Sequence, residues 1–208
     1  MLLKLEKLIA KYGMKITGVI QAGAHEGEEL EAFKITGIAK GYLFEPCKEA
    51  FEKLNQVLPA GFYALNFGLS YRADVLTINK TLFNNGQSNS ALKPKKHLEY
   101  YPNIVFDSTE KYLALPLDHY EIKDCNLLVM DVQGFELEVL KGANMAGRFK
   151  TLQYIDYIIT EVNLEEMYEG CALIEDLDNY LTDFQRVETK LARCKAWGDS
   201  LYIRKTLL

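Results

Sequence analysis

The chain has 208 residues, with 24 basic and 29 acidic side chains and a formal net charge of −5. Apolar residues make up 49% and charged residues 25%, an ordinary globular composition that argues against disorder and supplies a full core. The negative charge excludes a general nucleic-acid binder, which needs a basic face, and no apolar run approaches the ~20 residues that span a bilayer.

This length predicts one domain over residues 1–208. Residues 1–13, MLLKLEKLIAKYG, read as an amphipathic helix with Leu2, Leu5, Leu8, Ile9 and Tyr12 on one side, packed on the domain rather than on a membrane. The segment has no small-residue cleavage site. The four cysteines, Cys47, Cys125, Cys171 and Cys194, form no CxxC pair and fit free thiols in a reducing compartment; a cytoplasmic location is expected. Three histidines without ligand spacing argue against a zinc site.

Short apolar runs then alternate with helical patterns. VIQAG (19–23) is a buried strand ending in a glycine turn, and HEGEELEAF (25–33) starts a helix with acidic residues in its first turns. GYLFE (41–45) is a second strand, and Pro46–Leu58 a helix with Ala50, Phe51, Leu54, Val57 and Leu58 as its apolar stripe. FYALNFGLS (62–70) reads as a third strand and VLTINK (75–80) as a strand of a hairpin. Residues 80–110, with FNNGQSNSALKPKKHLEYYPN, read as an excursion over the sheet edge on the acceptor side. NLLVMDV (126–132) is a buried strand. Phe135–Lys141 is a helix closed by Gly142, YIDYIITEVN (154–163) a strand, and Ile174–Leu181 a helix. FQRVETKLA and SLYIRK close the chain as an antiparallel pair. This alternation favours a mainly parallel α/β sheet covered on both faces.

Four features carry chemistry. Gln21-Ala22-Gly23-Ala24-His25-Glu26-Gly27 is a glycine turn between a strand and a helix, where a ligand can approach the backbone. Glu45 ends the next strand, 22 residues after Gly23, the place where an acidic residue holds ribose hydroxyls in nucleotide-binding α/β folds. His25 stands where GxGxxG needs glycine, so a cofactor with an adenosine but no pyrophosphate fits better than a dinucleotide. Asp131, after LLVM, stands at a strand's carboxyl end with Gln133 and Glu136 following; a helix-capping aspartate is the alternative. Glu161, near the end of YIITEVN, is costly to bury without a partner.

These blocks resemble the FkbM-type S-adenosylmethionine-dependent methyltransferases. The resemblance rests on VIQAGAHEGEE, LFEP, QSNSAL, LPLDHY with LLVMDVQGFELEVLKGA, and IITEVN, with WGDSLYIRK similar to the family's end. It implies a class I methyltransferase (Rossmann-like) three-layer sandwich with a seven-stranded, mostly parallel sheet whose last strand is antiparallel. It implies methyl transfer to oxygen, commonly a hydroxyl of a sugar or natural product, from S-adenosyl-L-methionine, leaving S-adenosyl-L-homocysteine. Carried over by position, Gln21, Gly23, Ala24 and Gly27 belong to the cofactor turn. Glu45 with Pro46 holds the ribose, the segment Asn66 to Ser70, with Gly68 and Ser70, lies by the adenine or amino-acid end, and Asp131 and Gln133 face the methyl. The family usually has Asp where Gln21 stands and Glu where Gln133 stands; glutamine keeps hydrogen bonding and loses charge.

Transfer to a hydroxyl needs an aligned acceptor and a group that takes its proton. Asp131 is the expected base, with Glu161 beside it and His25 and His97 as backups. Asp131 and Glu161 are the alternative as Mg²⁺ ligands, which is not favoured. Ser88, Asn89 and Ser90, with Gln87, suit a polyol acceptor; Tyr100 and Tyr101 offer faces for a sugar ring. Lys93, Lys95, Lys96 and His97 would meet an anionic acceptor such as a sugar nucleotide, and Trp197 anchors the final hairpin or lines the acceptor side. The expected partner is a sugar, sugar nucleotide or glycan, with no nucleic acid and no membrane insertion. The alternatives are a nucleotide-dependent oxidoreductase, and a non-catalytic cofactor-binding module of the same fold.

Overall fold

Strands Val19–Ala22 (β1), Leu127–Met130 (β7) and Tyr157–Asn163 (β8) are buried at every residue, because the sheet they form is covered on both faces. The computed structural model describes residues 1–147 and 149–208. The remaining elements are, in chain order, α1 (Leu5–Tyr12), α2 (Leu30–Ile35), β2 (Gly41–Phe44), α3 (Lys48–Val57), β3 (Phe62–Leu65), β4 (Gly68–Leu69), β5 (Asp74–Lys80), α4 (His97–Tyr100), β6 (Ser108–Leu115), α5 (Glu136–Gly142), α6 (Ile174–Tyr180), β9 (Phe184–Leu191) and β10 (Trp197–Arg204).

The main sheet has seven strands in the order β3-β2-β1-β7-β8-β10-β9. Pairs among the first five are parallel; β10, the last in the chain, runs antiparallel to both β8 and β9. Alternate residues divide the core: Ile20, Leu128, Met130 and Ile158 pack on one face against Val139, Leu140 and Leu177. Val19, Leu127, Val129 and Ile159 pack on the other against Leu8, Phe33 and Leu54. The N-terminal helix joins that second face through Leu3, Leu5 and Leu8, as its amphipathic pattern requires. The chain steps from β1 to β2 in one direction and returns to β7 on β1's other side, which opens a crevice at the carboxyl ends of β1 and β7.

Four sequence expectations are corrected. Residues 62–70 are two strands: β3 stays in the main sheet, while β4 joins a three-stranded sheet of order β4-β6-β5. The break is at Asn66, whose amide donates to the carbonyls of Glu45 and Pro46 at 2.9 Å each and turns the chain out of the sheet. The expected hairpin partner of β5 is β6, antiparallel from Asp74–Ala114 to Lys80–Ser108, so the excursion is the long connection between them. His25 to Glu29 is a loop, and helix begins only at Leu30, because His25 and Gly27 both have positive φ. Gly142 is the last residue of α5: a Cβ there would lie 2.1 Å from the Ser70 carbonyl oxygen, so close approach, not a left-handed cap, requires glycine.

Candidate active site

The crevice takes its shape from backbone at the strand ends. Both Gly23 and Ala24 donate their N–H to the Phe44 carbonyl at 3.0 Å, tying the turn after β1 to the end of β2. Gly23 has φ +75°, and a Cβ there would meet the Asp131 carbonyl oxygen at 1.9 Å. The glycine is thus required by the passing end of β7, and this contact sets Asp131 beside the turn.

Glu45 follows β2 directly and is buried. Its Oε2 accepts the His25 N–H at 2.9 Å and its Oε1 the Cys47 N–H at 2.8 Å. Burial pushes its carboxyl up, opposed by these two backbone donors. His25 is held on both sides: Nδ1 lies 2.6 Å from Glu28 Oε1, and Nε2 lies 2.8 Å from the Asn85 carbonyl oxygen. Burial opposes its charge, but the Glu28 carboxylate and the Asn85 carbonyl outweigh that and raise it to about 9. An imidazolium with both nitrogens engaged takes no further proton, so His25 is not a base at neutral pH.

At the end of β7 the turn amides of Val132 and Gly134 donate to Glu136 Oε1 at 3.1 and 3.2 Å. Glu136, not Asp131, therefore serves the start of α5, and Asp131 is left facing the crevice. Gln133 Nε2 lies 2.6 Å from Asp131 Oδ1 and 2.9 Å from Glu161 Oε2. Its Oε1 accepts the Tyr168 hydroxyl at 2.6 Å. Burial raises Asp131 to about 6 against the Gln133 hydrogen bond, and raises Glu161 well above the usual range with Asp131's charge adding to it. The space between the two carboxylates is filled by the Gln133 amide, and among the described residues no group of three or more His, Cys, Asp or Glu is arranged to hold a metal ion.

These groups open on a cavity of about 410 Å³, within the range of small-molecule sites. Among the residues singled out in the sequence, Gly23, His25, Glu45, Pro46, Gly68, Asp131, Gln133 and Glu161 line it, with Ser88, Asn89, His97, Tyr101 and Trp197 from the acceptor side. Gln21, Ala24, Gly27, Ser70 and Ser90 do not line it. Gln21 is buried, donating to Glu29 Oε2 at 3.0 Å; Ala24 is core; and Gly27 packs on Leu30 and Leu54. Ser70 is backbone-paired to Leu115, and Ser90 Oγ donates to the Gln133 carbonyl at 2.7 Å. These positions shape the walls from behind.

The acceptor-side expectations divide likewise. His97 is buried among Tyr101, Phe106 and Tyr168, and burial lowers it to about 4, so it is a neutral packing ring and a poor base. Lys95 and Lys96 pair with Glu166 and Glu165 outside the cavity, and Tyr100 bonds Glu165 at 2.9 Å. The lysine cluster is thus a neutralised outer face. Trp197, expected to anchor the final hairpin or to line the acceptor side, lines the cavity and donates Nε1 to the Tyr101 hydroxyl at 2.8 Å. Phe67, within the segment Asn66 to Ser70, also lines the cavity, as do Met167 and Tyr168, which sequence reasoning missed. NLEEMYEG, where those two sit, shows no periodicity that would mark them.

Residues 21–195 match the methyltransferase FkbM domain. Over 104 residues the chain is 31% identical to 2-O-methyltransferase NoeI of Sinorhizobium fredii, a stretch that is 48% of this chain and 41% of that protein. Among solved structures, the plantazolicin methyltransferase BpumL in complex with SAH superposes with a TM-score of 0.52 at 10% identity, over 95% of this chain and 79% of that one. Fibrillarin in complex with Nop5p gives 0.51 at 17%, over 97% and 80%. Magnesium protoporphyrin IX methyltransferase of Synechocystis PCC 6803, with bound SAM, gives 0.50 at 10%, over 96% and 76%. These likenesses establish the fold as that of class I methyltransferases. The chain itself, matched by the family's pattern from Gln21 to Lys195, belongs to the methyltransferase FkbM domain family.

Proposed function

We propose that this chain is an S-adenosylmethionine-dependent O-methyltransferase whose acceptor is a hydroxyl of a sugar or glycan. One observation carries the reading: a single cavity at the switch point joins Glu45 to Asp131 and Glu161. The residues present fit the cofactor. Each Glu45 oxygen accepts only one backbone N–H, which leaves lone pairs for two ribose hydroxyls. The acid pair suits the cationic end. When bound, the cofactor supplies a methyl group activated by a positive sulfur.

The chain's own part is to position the acceptor and take its proton. Asp131 gives Oδ1 to Gln133, and Oδ2 accepts no hydrogen bond among the described residues, so it is the atom that receives the hydroxyl proton. A group lifted to about 6 is ionised at neutral pH yet basic enough for this work. Tyr101 and Trp197 form an aromatic wall beside the pair, and Ser88 and Asn89 place polar groups on the same cavity. With Lys95 and Lys96 turned to glutamates, this wall favours a neutral sugar or glycan over a sugar nucleotide. The name of the NoeI relative, a 2-O-methyltransferase, supports oxygen as the acceptor atom.

The test is thermal unfolding with about 1 mM S-adenosylmethionine, S-adenosylhomocysteine or NAD, followed by a methyl-transfer screen over neutral glycosides. A cofactor present at ~100 times its Kd stabilises by about 2.7 kcal/mol, a rise of roughly 5–10 °C for this chain length. The expected result is a rise with both sulfur compounds and none with NAD. A rise with NAD alone would select an oxidoreductase. Binding of S-adenosylmethionine without transfer to any glycoside would overturn the acceptor class.

A further inference from the structure

Gln133 is held in a conformation that a side chain rarely adopts, with φ +53°. Its environment fixes it there. Ser90 Oγ donates to its carbonyl at 2.7 Å, and its amide makes three contacts under 3 Å: Asp131 Oδ1 at 2.6 Å, Glu161 Oε2 at 2.9 Å and the Tyr168 hydroxyl at 2.6 Å. An amide nitrogen has two hydrogens and an amide oxygen only lone pairs. One orientation satisfies all three contacts. Turned over, the oxygen would face two carboxylates and the NH₂ would face a hydroxyl already free to donate.

We propose that Gln133 is a positioning residue: its NH₂ group fastens Asp131 to Glu161, filling the place between the two carboxylates that a cation would otherwise take, and Tyr168 locks the amide in that orientation. The catalytic consequence rests on Asp131 being the proton acceptor; the clamp itself does not. Its surroundings show why it is needed. The groups that face the pair are mostly acidic: Glu136, Asp199 and Glu29, with the N-terminal ammonium opposing them and the neutral phenol of Tyr168 closing the other side. Two carboxylates this close cannot both ionise freely without donors between them. Glutamate at position 133 would make a third carboxylate that needs a proton or a cation. The clamp also ties the excursion to the acid pair through Ser90, while Tyr168 holds Gln133 from the segment between β8 and α6.

The experiment is thermal unfolding of wild type, Q133E and Q133M at pH 5 and pH 8, with and without about 1 mM Mn²⁺. Protonation relieves an unclamped acid cluster, so both variants melt close to wild type at pH 5. At pH 8 each melts at least ~5 °C lower, the equivalent of about two pKa units of added repulsion. Mn²⁺ restores Q133E at pH 8 and leaves wild type unmoved. Should Q133E not fold, Q133M decides alone through the pH dependence of its gap, since it keeps the size of the side chain and loses the amide's donors together with the acceptor of the Tyr168 hydroxyl. A variant gap that is the same at both pH values would reduce Gln133 to a packing residue and overturn the clamp. Equal Mn²⁺ stabilisation of wild type and Q133E would show that the amide does not fill the cation's place. Failure of wild type to bind S-adenosylmethionine would instead overturn the proposed function and leave the clamp standing.

Discussion

Nε2 of His25 lies 2.8 Å from the carbonyl oxygen of Asn85, so one ring joins the turn after β1 to the excursion on the far side of the cavity. The same ring pairs with Glu28, which also accepts the Gln87 amide at 3.2 Å. Asn84 and Asn85 both have positive φ, so the excursion holds an unfavourable turn to present that carbonyl.

His25→Asn tests this link, since asparagine tolerates the left-handed backbone and removes the charge. The His25 value of about 9 stands above the ordinary 6.5, so its stabilisation is complete below about pH 6.5 and is lost as pH rises through about 9. Glu28, held down at about 2 by the same pair against its burial, loses its share only as pH falls through that value. Allowing for solvent screening of Glu28, the pair contributes about 1–2 kcal/mol. The variant melts about 3–6 °C below wild type at pH 7, and the gap narrows by pH 10. Melting curves at the two pH values check this.

Glu45→Gln removes a charge and one acceptor from a side chain that two backbone amides depend on. Hydrogen bonds to a charged group contribute about 1.5–3 kcal/mol. The expected loss of S-adenosylhomocysteine affinity is therefore ~10–100-fold, read by calorimetry on protein whose circular dichroism is unchanged.

Asp131→Asn keeps the shape of the pair and removes the proposed proton acceptor. Turnover falls by ~10²–10⁴-fold, the usual worth of general base catalysis, while S-adenosylhomocysteine affinity stays within a few-fold. In wild type the base must be ionised, so kcat/KM rises with pH through about 6 and levels above it. A pH profile of the wild-type enzyme and single-turnover rates of the variant check both statements.

Gly23→Ala sets a methyl group where the Asp131 carbonyl oxygen lies 1.9 Å away, at φ +75°. Neither β1 nor β7 can move without losing the register that pairs Ala22 with Met130. Destabilisation by about 3 kcal/mol or more is expected, seen as a melting point lower by ~6 °C or more or as insoluble protein. Gly37→Ala, where nothing lies within 4 Å of the added carbon but φ is also positive, is the matched control for backbone strain alone.

The architecture was legible in the sequence because it follows from local periods. Continuous runs such as LLVM mark strands covered on both faces, and the spacing of Leu5 and Leu8 marks a helix with one buried side. That Gly23, Glu45 and Asp131 would meet at one cavity was legible for the same reason: they stand at or just after strand ends, and a parallel sheet brings such ends together. What only the tertiary structure decided are the contacts between residues distant along the chain. Gln133 meets Tyr168 across 35 positions, and Trp197 meets Tyr101 across 96. Asn66 ends β3 only because the Glu45 and Pro46 carbonyls lie within reach of its amide. His25, read as a candidate base, proves to be a charged tie because Glu28 and Asn85 flank it in space. Periodicity reports which face of an element is buried; it carries no information on which polar group meets which, and that pairing sets the charge and orientation of every side chain in the cavity.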